Sequence, residues 1–146
     1  MKKNDLVSDV RQFTRFYTNI IGLLNGHLLN SPYTLPEARV LYEIAQQPKT
    51  TAKALIETLT IDKGYLSRIL KTFEKKGVIQ KAKDRNDARA ATLALTKKGQ
   101  NDFKALNEAS EKQVRELLNN IPAPQRKKLV ANMNNIRSII TTYSAI

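Results

Sequence analysis

Cysteine is absent from this 146-residue chain, which excludes disulfides, zinc–thiolate sites and a thiol-based redox switch. Glycine and proline number only five each, too few for long flexible linkers. The one histidine, His27, is accompanied by no glycine-rich phosphate loop and no paired acid cluster. It lies near the end of an apolar stretch and reads as a structural or surface residue. No enzyme, cofactor or metal is therefore expected. The longest apolar run, Ile20-Ile21-Gly22-Leu23-Leu24, is far shorter than the roughly 18 apolar residues of a membrane-span candidate. Met1-Lys2-Lys3 has the charge of a leader peptide, but Asp5, Asp9 and Arg11 interrupt any hydrophobic segment behind it. A cytoplasmic protein is the expectation.

What the chain does have is positive charge, unevenly placed. The formal net charge is +12, of which residues 49–99 carry +8, from 13 basic against 5 acidic residues. A basic excess concentrated in the middle third suits a polyanion, most simply nucleic acid.

Hydrophobic periodicity predicts a mainly α chain. Over residues 5–29, Leu6, Val10, Phe13, Tyr17, Ile20, Leu24 and Leu28 recur at four and three, a narrow seam for either the protein's own core or another chain. Thr34-Leu35-Pro36-Glu37 has capping-box spacing with proline in the first turn. It opens a helix whose expected inner face is Ala38, Leu41, Tyr42 and Ala45, ending before Pro48. Thr50 or Thr51 caps a short helix to about Leu59, and Thr60-Ile61-Asp62 is a tight turn. Asp62 caps a helix to Lys76 that Gly77 terminates. Residues 78–82 and 90–95 read as two strands around the polar, turn-prone segment 83–89. Thr96 caps a helix to about Asn120, with Phe103, Leu106, Ser110, Val114 or Gln113, and Leu117 along it. After Pro122-Ala123-Pro124, Leu129, Met133, Ile136, Ile140 and Tyr143 form a last seam.

The segment 50–95 is the informative one: short helix, tight turn, longer helix, hairpin. A helix-turn-helix needs apolar residues at a few positions to lock its helices, here Leu55, Leu59, Ile61, Leu66, Ile69 and Phe73. The second helix is then free to present Lys63, Gly64, Tyr65, Ser67, Arg68, Lys71 and Lys75. Tyr65, Ser67 and Arg68 are near its N-terminus, where a major-groove reader meets bases or phosphates, and Gly64 permits close approach. Lys71 and Lys75 are further along and suit phosphates. The hairpin carries Lys83, Arg85 and Arg89, fitted to the backbone and to the negative potential of a narrow minor groove. Asp87, two residues from Arg89, reads either as a carboxylate orienting that guanidinium or as a plain turn-former.

Several of these stretches together resemble the MarR family of bacterial transcriptional regulators. They are Thr34-Leu35-Pro36-Glu37-Ala38-Arg39-Val40-Leu41, Asp62-Lys63-Gly64-Tyr65-Leu66-Ser67-Arg68-Ile69-Leu70-Lys71, Phe73-Glu74-Lys75-Lys76-Gly77-Val78-Ile79, Asp87-Ala88-Arg89 and Leu93-Ala94-Leu95-Thr96-Lys97-Lys98-Gly99. The resemblance implies a winged helix-turn-helix (residues 34–95) with dimerisation helices before it (1–33) and after it (96–146). It implies a homodimer that occupies a pseudo-palindromic operator, usually as a repressor. Ser67 and Arg68 then fall at recognition-helix positions, Arg89 at the wing arginine, and Asp87 at the acid that steadies it.

Many family members release DNA when a small aromatic or phenolic molecule binds between the dimerisation helices and the DNA-binding lobe. Tyr17, Ile21, Tyr33 and Tyr42 are the candidates for lining such a pocket, with simple core packing as the competing reading of the same residues. The rival for the whole protein is an architectural winged helix that binds any duplex without ligand control.

Overall fold

The computed structural model describes residues 5–24, 31–83 and 91–144, and the side chains of all of these except residues 21–24. In chain order the elements are α1 (Leu6–Leu24), α2 (Leu35–Ala45), β1 (Thr50–Thr51), α3 (Ala52–Leu59), α4 (Lys63–Lys75), β2 (Ile79–Lys83), β3 (Ala91–Leu95), α5 (Lys97–Asn119) and α6 (Ala123–Tyr143). The chain divides into two compact units, residues 1–110 and 111–146.

Short-range hydrogen bonds set the helix ends. Thr34 Oγ1 accepts from the Glu37 N–H at 3.3 Å while Glu37 Oε1 accepts from the Thr34 N–H at 2.9 Å, the reciprocal box that satisfies two otherwise orphaned donors. Thr51 Oγ1 accepts from Ala54 N–H at 3.1 Å and Asp62 Oδ2 from Tyr65 N–H at 2.9 Å, starting α3 and α4. Between them Thr60 adopts a left-handed conformation, φ 50°, which turns the chain sharply at the end of α3. Gly77, φ 72°, ends α4 in the same region of backbone space, where glycine pays no Cβ penalty. The Val78 N–H returns to Phe73 O and the Gly77 N–H to Glu74 O, while Phe73 and Val78 are themselves fully buried. Hydrogen bonds and an apolar contact thus close the helix together.

Beyond the predicted hairpin there is a third strand. The sheet order is β1-β3-β2, all antiparallel. β1 is only Thr50–Thr51, paired with Leu93 and Thr92, so it carries no alternation to detect. Thr51 both pairs in the sheet and caps α3. The β2–β3 ladder runs from Ile79–Leu95 to Lys83–Ala91, starting one residue later than expected at Ile79.

The core of the first unit gathers Val40, Leu41 and Ile44 of α2, Leu55 of α3, Leu66, Ile69, Leu70 and Phe73 of α4, and Val78, Ile79 and Leu93 around the sheet. Leu59, Ile61, Leu95, Phe103 and Leu106 pack against it. All six residues expected to lock the helix-turn-helix are in this cluster or on its margin. Phe73 is wholly buried at the junction, and its truncation to alanine would cost about 3–5 kcal/mol. The α2 face is rotated from its expected position: Val40 and Ile44 point inward, whereas Tyr42 is half-exposed.

The terminal helices differ from this core. On α1, Leu6, Val7, Val10, Phe13, Phe16 and Tyr17 are all exposed, and Phe13 and Tyr17 stack with ring centroids 5.7 Å apart. In the second unit, Arg126 Nε donates to Leu118 O and Ile121 O at 2.6 and 2.7 Å, tying the start of α6 to the last turn of α5 and to the turn that follows it. Further along α6, Val130, Met133, Ile136, Ile139, Ile140 and Tyr143 stand exposed, and no residue of α6 is buried. Among the described residues no helix is long and apolar enough to cross a membrane.

Candidate nucleic-acid interface

α4 has two contrasting faces. Leu66, Ile69, Leu70 and Phe73 are buried, while Lys63, Gly64, Tyr65, Ser67, Arg68, Lys71 and Lys75 are all exposed. The pattern follows from helix geometry: residues three and four apart share a side, so apolar residues at 66, 69, 70 and 73 consume one face. Four basic side chains on the other face are offset by a single acid in the helix, Glu74, which is engaged by Lys81 Nζ of β2 at 3.4 Å. That exposed pair contributes little to stability, but it neutralises the helix's own carboxylate and ties the wing stem to α4.

Individual residues refine the picture. A Cβ on Gly64 would meet only Asp62 Oδ2, at 3.3 Å, so the protein's own packing places no neighbour over this glycine beyond its capping carboxylate. The Arg68 guanidinium lies over the Tyr65 ring, 5.7 Å from its centroid. The Thr72 hydroxyl donates to Arg68 O at 3.0 Å. Lys83 is exposed at the end of β2, beside the hairpin tip. Arg85, Asp87 and Arg89 fall outside the described residues, as do His27 and the expected strand residue Ala90.

The far end of α4 is anchored to the start of α5. The Thr96 hydroxyl donates to the carbonyls of Gly77 and Val78, its N–H donates to Val78 O at 3.0 Å, and Thr96 Oγ1 accepts from Gly99 N–H at 3.1 Å. Lys98 Nζ donates to Lys76 O at 2.8 Å, a cation at a helix C-terminus where the peptide dipoles favour it. The bonds from Thr96 and Lys98 back to residues 76–78 span about twenty positions and have no local signal. Only the Leu-Thr-x-x-Gly pattern marked the place.

A second feature of this unit is an open groove of about 320 Å³ walled by α2, the end of α3 and the middle of α5, with Arg39, Tyr42, Glu43, Leu59, Phe103 and Leu106 among its lining. The rings of Tyr42 and Phe103 stand 6.0 Å apart. Of the residues expected at a ligand pocket, Tyr42 lines this groove. Tyr33 does not. It is a core residue, 4% exposed, edge-on to Phe73 at 5.9 Å, and its hydroxyl donates to Asp102 Oδ2 at 2.6 Å. Burial first, then the hydrogen bond and negative charge of Asp102, with Glu37 adding to them, push its phenol well above the usual tyrosine range. Tyr17 is half-exposed on α1 and is not part of the groove's lining. The Ile21 side chain is outside the described set. Arg39 and Phe103, missed in the sequence, are unremarkable there as an exposed helix cation and a seam residue.

Comparison with known proteins bears on this geometry. The model of the MarR family matches residues 33–91, which takes in α2, β1, α3, α4 and β2 and ends at the first residue of β3. The HTH-type transcriptional regulator SarZ of Staphylococcus aureus is 30% identical over 125 residues, 86% of this chain and 83% of that protein. Among solved structures, Streptococcus pneumoniae FabT in complex with DNA superposes with a TM-score of 0.81 at 18% identity, covering 94% of this chain and 99% of that one. The PcaV transcriptional regulator of Streptomyces coelicolor, in complex with its natural ligand, gives a TM-score of 0.73 at 18% identity over 94% and 98%. At these identities the structural likenesses establish the fold.

Proposed function

The chain belongs to the MarR family of transcriptional regulators, and on that premise we propose that it is a homodimeric, sequence-specific double-stranded-DNA-binding repressor that reads its operator with α4. The observation that carries this is the division of α4 into a wholly packed face and an exposed face bearing Lys63, Ser67, Arg68, Lys71 and Lys75. A helix held rigidly on one side, with its basic side free, is what insertion into a major groove requires. The DNA-bound state of FabT, which shares the fold, supports the same use.

Lys83 on the wing stem would add a contact to the DNA backbone, and by sequence alone Arg85 and Arg89 would take a backbone and minor-groove role, with Asp87 as a partner of Arg89 or a plain turn-former. Dimerisation is supported by the exposed apolar rows on α1 and on α6, which a lone chain leaves in water. A two-fold pair would place two recognition helices roughly 34 Å apart on a pseudo-palindrome. The groove beside Tyr42 is the natural seat for a small aromatic effector, as PcaV's ligand-bound form encourages. Such a ligand would alter operator affinity by favouring one dimer geometry, with a coupling of about 1–3 kcal/mol.

The test is Arg68→Ala measured against the preferred duplex and against single-base variants of it. Loss of about 1–3 kcal/mol with relaxed preference at one base pair per half-site is expected. Equal weakening on every sequence, with a steep salt slope, would make Arg68 a phosphate contact and favour an architectural protein. A panel of phenolic compounds that never shifts operator affinity would remove the effector from the account.

A further inference from the structure

Tyr65 and Arg68 sit three residues apart, neighbours on the exposed side of α4. The guanidinium carbon of Arg68 is 5.7 Å from the centre of the Tyr65 ring, inside the distance of roughly 6 Å at which an aromatic face attracts a cation. Among the described residues Arg68 has no carboxylate partner, so the ring is what the structure gives its guanidinium. Tyr65 is itself held. Its N–H is fixed on the Asp62 carboxylate at 2.9 Å, and its side chain helps to close a small hollow with Pro36, Leu59, Thr60 and Ile61. Only 37% of Tyr65 remains accessible. Tyr65 thus borders the turn between α3 and α4 on one side and offers its ring to Arg68 on the other.

From this arrangement we propose that Tyr65 is a positioning residue for Arg68 and not a reader of bases. Resting on the reading of α4 as the recognition helix, it goes one step further: it names the residue that sets Arg68's aim. An arginine side chain carries large rotamer entropy, and a planar fork discriminates between base edges only when its plane and reach are fixed. Attraction to the ring restricts the guanidinium before DNA arrives, so less ordering remains to be done on association. The ring is the working part, and the phenolic hydroxyl has no share in it. Tyr65→Phe therefore keeps the function, and a flexible aliphatic side chain loses it.

The experiment compares the full-length protein with Arg68→Ala, Tyr65→Phe, Tyr65→Leu and the Tyr65→Leu/Arg68→Ala double variant. Each is titrated against the preferred duplex and every single-base variant of one half-site, after matched thermal unfolding midpoints establish folding. Arg68→Ala should lose roughly tenfold or more of discrimination at one base pair. Tyr65→Leu should lose roughly two- to fivefold at that same pair, Tyr65→Phe should match the parent, and Tyr65→Leu should add nothing once Arg68 is gone. If Tyr65→Leu does not fold, Tyr65→Gln, which keeps helix propensity without a ring, carries the same comparison. The proposal is overturned if Tyr65→Leu changes preference at a different base pair, weakens all sequences equally, or is matched by Tyr65→Phe. Should Arg68→Ala leave base preference intact, the role of Arg68 itself falls, and the proposal falls with it by a separately recognisable result.

Discussion

Gly99, in the first turn of α5, packs against the carbonyl of Val78 so closely that a Cβ there would collide with the backbone oxygen and carbon. Alanine normally exceeds glycine in a helix by about 1 kcal/mol. Here the sign should reverse, because the clash is with main chain that is itself hydrogen-bonded to Thr96. Gly99→Ala should lower stability by about 1–3 kcal/mol, read as a fall in the thermal midpoint. An unchanged or higher midpoint would show that α5 and the end of α4 can separate freely.

The same junction makes Thr96 more than a helix cap. Its hydroxyl accepts from Gly99 N–H and donates to the carbonyls of Gly77 and Val78, just after α4. Thr96→Val keeps the shape and deletes these bonds, and should cost about 1–2 kcal/mol. Urea unfolding of both proteins checks this, and equal midpoints would mean that water replaces the hydroxyl without loss.

Thr60 holds φ 50° and ψ 45° in the turn between α3 and α4. A β-branched residue is a poor occupant of that region, and the left-handed conformation costs roughly 1–2 kcal/mol for an ordinary L-residue. Thr60→Asn should therefore raise stability, by about 1 kcal/mol, without altering the fold. A destabilised variant would indicate that Thr60's side chain contributes contacts that outweigh its backbone strain.

The Tyr33–Asp102 bond predicts a pH effect of definite sign. Because the folded protein holds the phenol proton above the ordinary value of 10.0, the native state binds more protons than the unfolded chain in alkaline solution. Its stabilisation is complete below about pH 10 and declines as pH rises beyond that. Tyr33→Phe should be less stable by about 1 kcal/mol at neutral pH, and the gap should close above pH 10. Parallel curves for the two proteins across the alkaline range would contradict the assignment.

Most of the fold was legible because its signals are local. Thr34, Thr51, Asp62 and Gly77 act within four residues of themselves, and the period of α4 carries its own burial. What escaped was long in range or short in extent. β1 has two residues and pairs across some forty positions with β3. The rotation of α2, which turns Tyr42 outward and Val40 inward, depends on what packs against it. Tyr33 joined the core through Phe73 and Asp102, partners that no spacing rule links to it. For the interface, the exposed face of α4 could be read from the sequence, whereas the approach of the Arg68 guanidinium to the Tyr65 ring depends on the side-chain conformations of both.

The central claim is that α4 reads base sequence from within a two-fold dimer. Selection of bound DNA from a randomised duplex library, followed by sequencing, addresses it most directly. The expected product is an enriched pseudo-palindrome whose half-site centres lie about 10 base pairs apart. Tight, salt-sensitive binding with no enriched sequence would contradict the claim and leave a protein that grips any duplex through its phosphates.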